Sequence, residues 1–291
     1  MIINLKESKT IQALLTYGAR KLEAIGINTA NLEARILMQY VTNKPIEYLL
    51  ARFEEVLPLT QQITFKELIN RRLTLEPIAY IIGVKEFYGY QFIVNNKVLI
   101  PRQDTEIIVE AILNENNNLA SETTILELGT GSGCIAISLL LERKNLKLTA
   151  TDISKDAIVI ATQNANRHNV LPRLSIIHSD WFQNLKNKKF DIIVSNPPYI
   201  SYNDIQYMAP ETFKYEPKSA LFAENNGLAG YYIIAQCAKN FLKDQGKIFL
   251  EIGLRQTEIV KEIFTHYHYT FKQIYRDLAG QDRVLLFIAP S

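Results

Sequence analysis

Over the first 75 residues, apolar positions recur at three- and four-residue steps. Ile11, Leu14, Leu15, Gly18, Leu22 and Ile25 fall on one face of a helix that Gly26 can end. Asn28-Thr29 can cap a second helix with Leu32, Ile36, Leu37 and Tyr40, stopped near Pro45. A third carries Tyr48, Leu49 and Phe53, and a fourth carries Phe65, Leu68, Ile69 and Leu73 and is stopped by Pro77. The spacing thus predicts a small helical bundle over residues 1–78. The pattern then changes to apolar–polar alternation around Gly83 and Gly89 in YIIGVKEFYGYQFIVN, which predicts a β-hairpin linker over 79–100, with the boundary falling within 76–85.

From 101 onwards a third pattern holds. Pro101 precedes a helical run with Ile107, Ile108 and Leu113, and the Asn-rich stretch 114–118 reads as a loop. After 123, short apolar runs (TTILELG, LKLTATDI, LSIIHSD, FDIIVSN, GKIFLEIG, FKQIYRD and RVLLFIA) alternate with helical stretches, except between LSIIHSD and FDIIVSN and between the last two. Apolar runs separated by helices are the signature of a doubly wound, mostly parallel sheet, so residues 101–291 are expected to form an α/β Rossmann-like domain of seven strands. Ligands of such sheets bind beyond the carboxyl ends of the strands.

Composition narrows the picture. The 291 residues carry 32 basic and 30 acidic side chains; residues 1–80 hold 10 and 8 of them, leaving a neutral 22 and 22 for the rest. That balance argues against a broad electrostatic grip on nucleic acid. Cys134 and Cys237 are too few for a disulfide framework. The N-terminus MIINLKESKT lacks the basic and apolar regions of a signal peptide, and no apolar run reaches the ~18 residues of a membrane span. A soluble cytoplasmic protein with no membrane association is expected. The four histidines lack metal-ligand spacing, so no metal is expected.

The chemistry concentrates at four strand ends. The first ends in Gly129-Thr130-Gly131-Ser132-Gly133, where glycines allow positive φ and close approach of a ligand. Its GxGxG spacing tilts against the dinucleotide GxGxxG pattern. The second ends at Asp152, a carboxylate placed to accept ribose hydroxyls or else part of a helix cap with Ser154. The third ends in Asp180-Trp181, an acceptor for an exocyclic amine beside a flat apolar face, as an adenine ring would use. The fourth ends in Asn196-Pro197-Pro198-Tyr199. Its prolines hold a rigid loop, and the Asn196 oxygen, the Pro197 carbonyl and the Tyr199 face form a receptacle for a planar NH2 group. Cys134 reads as a small core residue.

With these elements in place, the sequence resembles class I S-adenosylmethionine-dependent methyltransferases that modify planar amino nitrogens, a group that includes DNA adenine-N6, DNA cytosine-N4 and protein-glutamine enzymes. Ile100-Pro101-Arg102-Gln103-Asp104-Thr105-Glu106, the Gly83-x-x-x-Phe87 hairpin, SDWF at 179–182, Tyr215-Glu216-Pro217 with Ala220-Leu221, and LEIG at 250–253 narrow the likeness to bacterial release factor glutamine methyltransferases. The similarity runs over roughly 75–291; Gln103 stands where that family usually has proline. The resemblance implies S-adenosyl-L-methionine as cofactor, lined by Gly129 to Gly133, with Asp152 on the ribose, Asp180 and Trp181 around the adenine, and Asn196 beside it. It implies Asn196, Pro197, Pro198 and Tyr199 as the catalytic and substrate-binding residues. It further implies that the substrate is the glutamine of the Gly-Gly-Gln loop of class-1 peptide chain release factors, methylated on its amide nitrogen, and that the N-terminal bundle helps to dock that partner.

Three other readings remain open on the residues. A nucleic-acid amino-group methyltransferase presents a similar NH2 to the same loop, but the neutral catalytic half supplies no basic recognition segment. A non-catalytic adaptor leaves the glycine loop, Asp152 and Asn196–Tyr199 without a purpose. An NAD dehydrogenase gives no role to Asn196–Tyr199.

Overall fold

The computed structural model describes residues 9–115, 123–186 and 188–290. The chain divides into two compact units, residues 1–83 with 210–215, and residues 84–209 with 216–291.

The first unit is helical: α1 (Ile11–Glu23), α2 (Ala30–Thr42), α3 (Ile46–Ala51), α4 (Leu59–Leu73) and α5 (Ile78–Ile82). Thr10 caps α1, its hydroxyl accepting from the Ala13 amide at 3.2 Å. The helices meet in one core around Leu14, Leu22, Leu37, Phe65 and Ile69, but Ile25, Leu32 and Tyr40 of the expected faces are exposed, because α2 buries Ala30, Ala34, Leu37 and Met38 instead. Gly18 lets α4 cross close to α1, because a Cβ there would lie 2.9 Å from Phe65 and Ile69. Buried Arg72 is held by Glu33 at 2.6 Å and Glu211 at 2.8 Å, so its charge is paired rather than stranded.

Two local expectations need correction. Phe53 lies beyond the end of α3. The fourth helix ends four residues before Pro77, with Leu75 in the left-handed region at φ 69°; Pro77 instead opens α5, which takes 79–82 from the stretch expected to be linker hairpin. Proline's fixed φ suits the position before a helix, and Gly83 closes the turn at φ 77°. Of the Asn-rich stretch, Asn114 belongs to a helix and 116–118 lie outside the described residues, as do residues 1–8.

The second unit begins with the hairpin β1 (Val84–Phe87) and β2 (Tyr90–Ile93), turned by Tyr88 and Gly89, both with positive φ. It continues through α6 (Glu106–Glu115), β3 (Thr123–Leu128), α7 (Cys134–Glu142), β4 (Leu146–Asp152), α8 (Lys155–Arg167), β5 (Leu174–His178) and β6 (Phe190–Ser195). The chain then passes through α9 (Pro210–Tyr215), which belongs to the first unit, and through the short α10 (Lys218–Leu221) and α11 (Glu224–Gly227). It closes with α12 (Ala229–Cys237), β7 (Leu242–Glu251), α13 (Thr257–His266), β8 (Thr270–Arg276) and β9 (Asp282–Ile288).

The seven-stranded sheet has the order β5-β4-β3-β6-β7-β9-β8, parallel from β5 to β7, with β9 antiparallel to both of its neighbours. Its two faces are buried by separate apolar clusters. One is built on α6, α7 and α8 and the other on α12 and α13, which is why the central strands are apolar at nearly every position. The strand order reverses between β3 and β6. Register places Leu128 between Thr151 and Ser195, and Ser195 next to Leu250. Gly129, Asp152, Asn196 and Glu251 therefore leave the sheet side by side at one edge. Among the described residues no helix is long and apolar enough to cross a membrane.

Candidate active site

A cavity of about 390 Å³ opens at that edge, within the second unit. This is the size of a small-molecule site, and it lies at the topological switch point where α/β sheets bind ligands. Its wall includes Gly129, Thr130, Gly131 and Ser132, then Asp152, Asp180 and Trp181, and finally Asn196 and Pro198. The four strand ends singled out in the sequence thus converge on one hollow.

The glycines divide the work. Gly129 and Gly131 have φ of 73° and 56°, and a Cβ on either would meet nothing within 4 Å, so they keep the backbone bare and the hollow open. Gly133 is not part of the wall. A Cβ there would lie 2.9 Å from Ile137 and 3.4 Å from the Ala161 side chain, so this glycine serves the packing of α7 against α8.

The Asp152 carboxylate is tied to backbone on both oxygens. Oδ2 accepts from the Gly131 amide and Oδ1 from the Ser154 amide, each at 2.8 Å. Ser154 caps α8, so the aspartate bridges the glycine loop to the helix start while lining the cavity. Burial raises its pKa, and the two amides oppose that rise. Asp180 accepts from Gln183 at 3.0 Å. Trp181 sits in the left-handed region at φ 47°, a strained conformation for a bulky residue. Its ring lies against α12, where a Cβ on Gly230 would come within 3.1 Å.

The Asn196 amide Nδ2 donates to the Thr105 hydroxyl at 3.2 Å, with the buried Glu251 carboxylate beside this pair, and Asn196 lines the cavity. Pro197 is buried with its ring 3.1 Å from the position of a Gly230 Cβ. The half-buried Tyr199 packs into the apolar cluster under α12. Neither Pro197 nor Tyr199 belongs to the wall, and the ring of Tyr199 backs the loop. Gln256 is the brace of this turn, donating to the Tyr199 carbonyl at 3.0 Å and accepting from the Gly253 amide at 2.9 Å and the Tyr231 hydroxyl at 3.2 Å. Gly227 passes so close that a Cβ would lie 2.1 Å from the Tyr199 oxygen.

Four residues acquire a place here that sequence reasoning did not give them. Buried Glu127 accepts from Thr130 at 2.6 Å, and burial pushes its pKa up to about 8. Thr105 and Glu251 stand behind Asn196. Glu216 holds the 100–102 segment, accepting from the Ile100 amide at 3.1 Å and pairing with Arg102. The segments PRQDTE, LEIG and YEP flagged all but Glu127, but only the fold shows what their side chains touch. His168 and His178 each bond a backbone carbonyl at 2.9 Å, and among the described residues no group of His, Cys, Asp and Glu is gathered to hold a metal ion.

Open glycines, a carboxylate three residues before α8 and a flat aromatic wall fit a nucleoside-bearing cofactor such as S-adenosylmethionine. The comparisons agree with this geometry. The profile of the Methyltransferase small domain matches residues 103–273, and that of the PrmC N-terminal domain matches 13–83. A release factor glutamine methyltransferase of Shewanella oneidensis is 40% identical over 89% of this chain and 90% of its own length. The chain belongs to the release factor glutamine methyltransferase family. A bifunctional methyltransferase of Rickettsia prowazekii is 52% identical over 95% of this chain but only 57% of its own length, so the chain spans little more than half of such relatives. A methyltransferase structure from Pyrococcus furiosus shares the fold at a TM-score of 0.53 and 21% identity, covering 76% of this chain and 98% of that one. The sheet and helical layers expected for class I methyltransferases are those observed.

Proposed function

We propose that the protein methylates the side-chain amide nitrogen of the glutamine in the Gly-Gly-Gln loop of class-1 peptide chain release factors. The observation that carries this is the Asn196 amide, which lines the cavity beside the glycine loop and is tied through Nδ2 to Thr105, an arrangement that leaves Oδ1 for a ligand. The Asn196 oxygen held there receives an NH2 group. Relatives named release factor glutamine methyltransferases support glutamine as its source.

S-adenosyl-L-methionine, when bound, supplies a methyl group already activated on a sulfonium. Transfer would leave the bonding pair on sulfur, and the acceptor nitrogen would lose a proton. In this reading Asp152 would receive ribose hydroxyls, Asp180 and Trp181 would receive the adenine, and Gly129 and Gly131 would leave room for the methionine chain. An amide nitrogen is a poor nucleophile because its lone pair is conjugated with the carbonyl. An acceptor on its NH2 raises the electron density on nitrogen and aims it. Alignment in a closed site can contribute roughly 7–11 kcal/mol, and the protonated amide formed on attack is acidic enough to need no dedicated base. The N-terminal unit, with Leu32, Tyr40, Leu50, Val56, Leu59 and Ile63 exposed, is proposed to dock the protein partner. Free Cys134 and Cys237 suit a cytoplasmic setting.

The test offers labelled S-adenosylmethionine to purified release factor, to the same factor with Gln→Ala in its Gly-Gly-Gln loop, and to duplex and single-stranded DNA. Label on the unaltered factor alone is expected. Label on DNA but not on the factor overturns the proposal.

A further inference from the structure

Behind Asn196 the site is polar yet sealed. Glu251 is the last residue of β7 and 2% exposed, and Thr105, 3% exposed, closes the turn before α6. The pairing of Ser195 with Leu250 brings the following residues, Asn196 and Glu251, into contact range. Asn196 Nδ2 donates to the Thr105 oxygen at 3.2 Å. The Glu251 carboxylate lies beside the Thr105 hydroxyl and the Asn196 amide, and both favour its ionised form. The arrangement is therefore a triangle of Asn196, Thr105 and Glu251, with Thr105 bonded to Asn196 and the carboxylate beside both.

An asparagine amide has two ends of nearly equal size, and only its partners decide which end points where. An ionised carboxylate can only accept, so it holds the NH2 end. We propose that Glu251, together with Thr105, is a positioning residue that fixes the polarity of the Asn196 amide, with Nδ2 inward and Oδ1 toward the cavity. The inference rests on the proposed role of Asn196 in receiving the acceptor NH2. It adds what selects that role, since a reversed amide would present NH2 to NH2 and repel the substrate.

Glu251 has one carboxylate oxygen, Oε2, without a hydrogen-bond partner. A proton there would turn the residue into a donor and remove the reason for the amide to face inward. The surroundings oppose one another. Burial is the largest influence and pushes the Glu251 pKa up to about 7; hydrogen bonds from Thr105 and Asn196 and the charge of Arg283 on β9 favour ionisation, and Asp104 resists it. The phenols of Tyr199 and Tyr231 and the Cys134 thiol also feel its charge. The polarity is then set in the upper part of the neutral range and lost as pH falls.

The test compares wild type with Glu251→Gln, Thr105→Val and Thr105→Ser, using purified full-length chain, S-adenosylmethionine and purified release factor. Glu251→Gln is expected to lower kcat on the order of 30- to 100-fold while the cofactor Kd stays within threefold. Thr105→Val is expected to lose about tenfold and Thr105→Ser to regain most of it. Wild-type kcat should rise with pH through the neutral range, and that limb should vanish in Glu251→Gln. A second readout needs no activity: the Asn196 side-chain 15N–1H signals should shift with pH in the wild type and stay fixed in Glu251→Gln. Glu251→Gln with near-normal kcat, or a wild-type Asn196 signal indifferent to pH, overturns the proposal. A wild type that leaves release factor unlabelled contradicts the substrate assignment instead, and the Asn196 signal still decides the clamp.

Discussion

The two halves of the cavity floor are built by different means. On the side of β3, β4 and β5 the ligand-facing surface is mostly backbone: bare glycines at positive φ, and a carboxylate whose oxygens are both held by main-chain amides. On the side of β6 and β7 it is a lattice of side chains, in which Thr105 and Glu251 hold Asn196 while Gln256 and Tyr231 hold the turn behind it. The first construction follows from local conformation. The second depends on residues more than 50 positions apart meeting correctly, and it is the half where a particular group must be pointed rather than merely admitted.

That contrast can be broken in a graded way. Asn196→Ala should reduce turnover roughly 10²-fold or more with cofactor affinity kept, as for loss of an oriented polar contact; steady-state kinetics with calorimetry will show it. Gly227→Ala, whose methyl would collide with the Tyr199 carbonyl, should displace the turn and lose about 10²-fold in kcat, because an ångström of misplacement can cost that much. Asp152→Ala, on the other half, should weaken cofactor binding about 10- to 100-fold, and an unchanged Kd by calorimetry would refute the ribose assignment. Gln256→Ala should cost only about three- to tenfold in kcat, for the loss of a neutral brace.

The smallest effect concerns stability. Burial lifts Glu127 to a pKa of about 8, whereas an unfolded glutamate ionises near its ordinary 4.5. The folded chain thus holds this proton longer than the unfolded one, and its stabilising share is full below about pH 4.5 and lost as pH rises toward 8. Melting temperature should fall across that window, and Glu127→Gln should flatten the fall by roughly 3–6 °C. A profile identical to wild type would contradict the burial argument.

The sequence made the fold legible because the sheet's apolar runs and turns are local signals. It also exposed Asp152, Trp181 and Asn196, since strand ends in a doubly wound sheet must face the ligand. The helix at 78–82 was hidden by a run that reads as alternating, where Pro77 and Gly83 decided otherwise. Gly133 looked like Gly129 and Gly131, yet its neighbour is Ile137 rather than open space. Thr105 and Glu251 carried no sign of their task, because touching Asn196 is a property of the β6–β7 register and of the turn before α6.

The central claim is that acceptor orientation and cofactor retention reside in separate halves. Its most direct test is single-turnover methyl transfer to release factor, together with calorimetric S-adenosylmethionine binding, on one preparation of Asn196→Ala. The account predicts transfer slowed by at least about 10²-fold at a cofactor Kd within threefold of wild type. Transfer and binding lost together, or transfer retained, would contradict it.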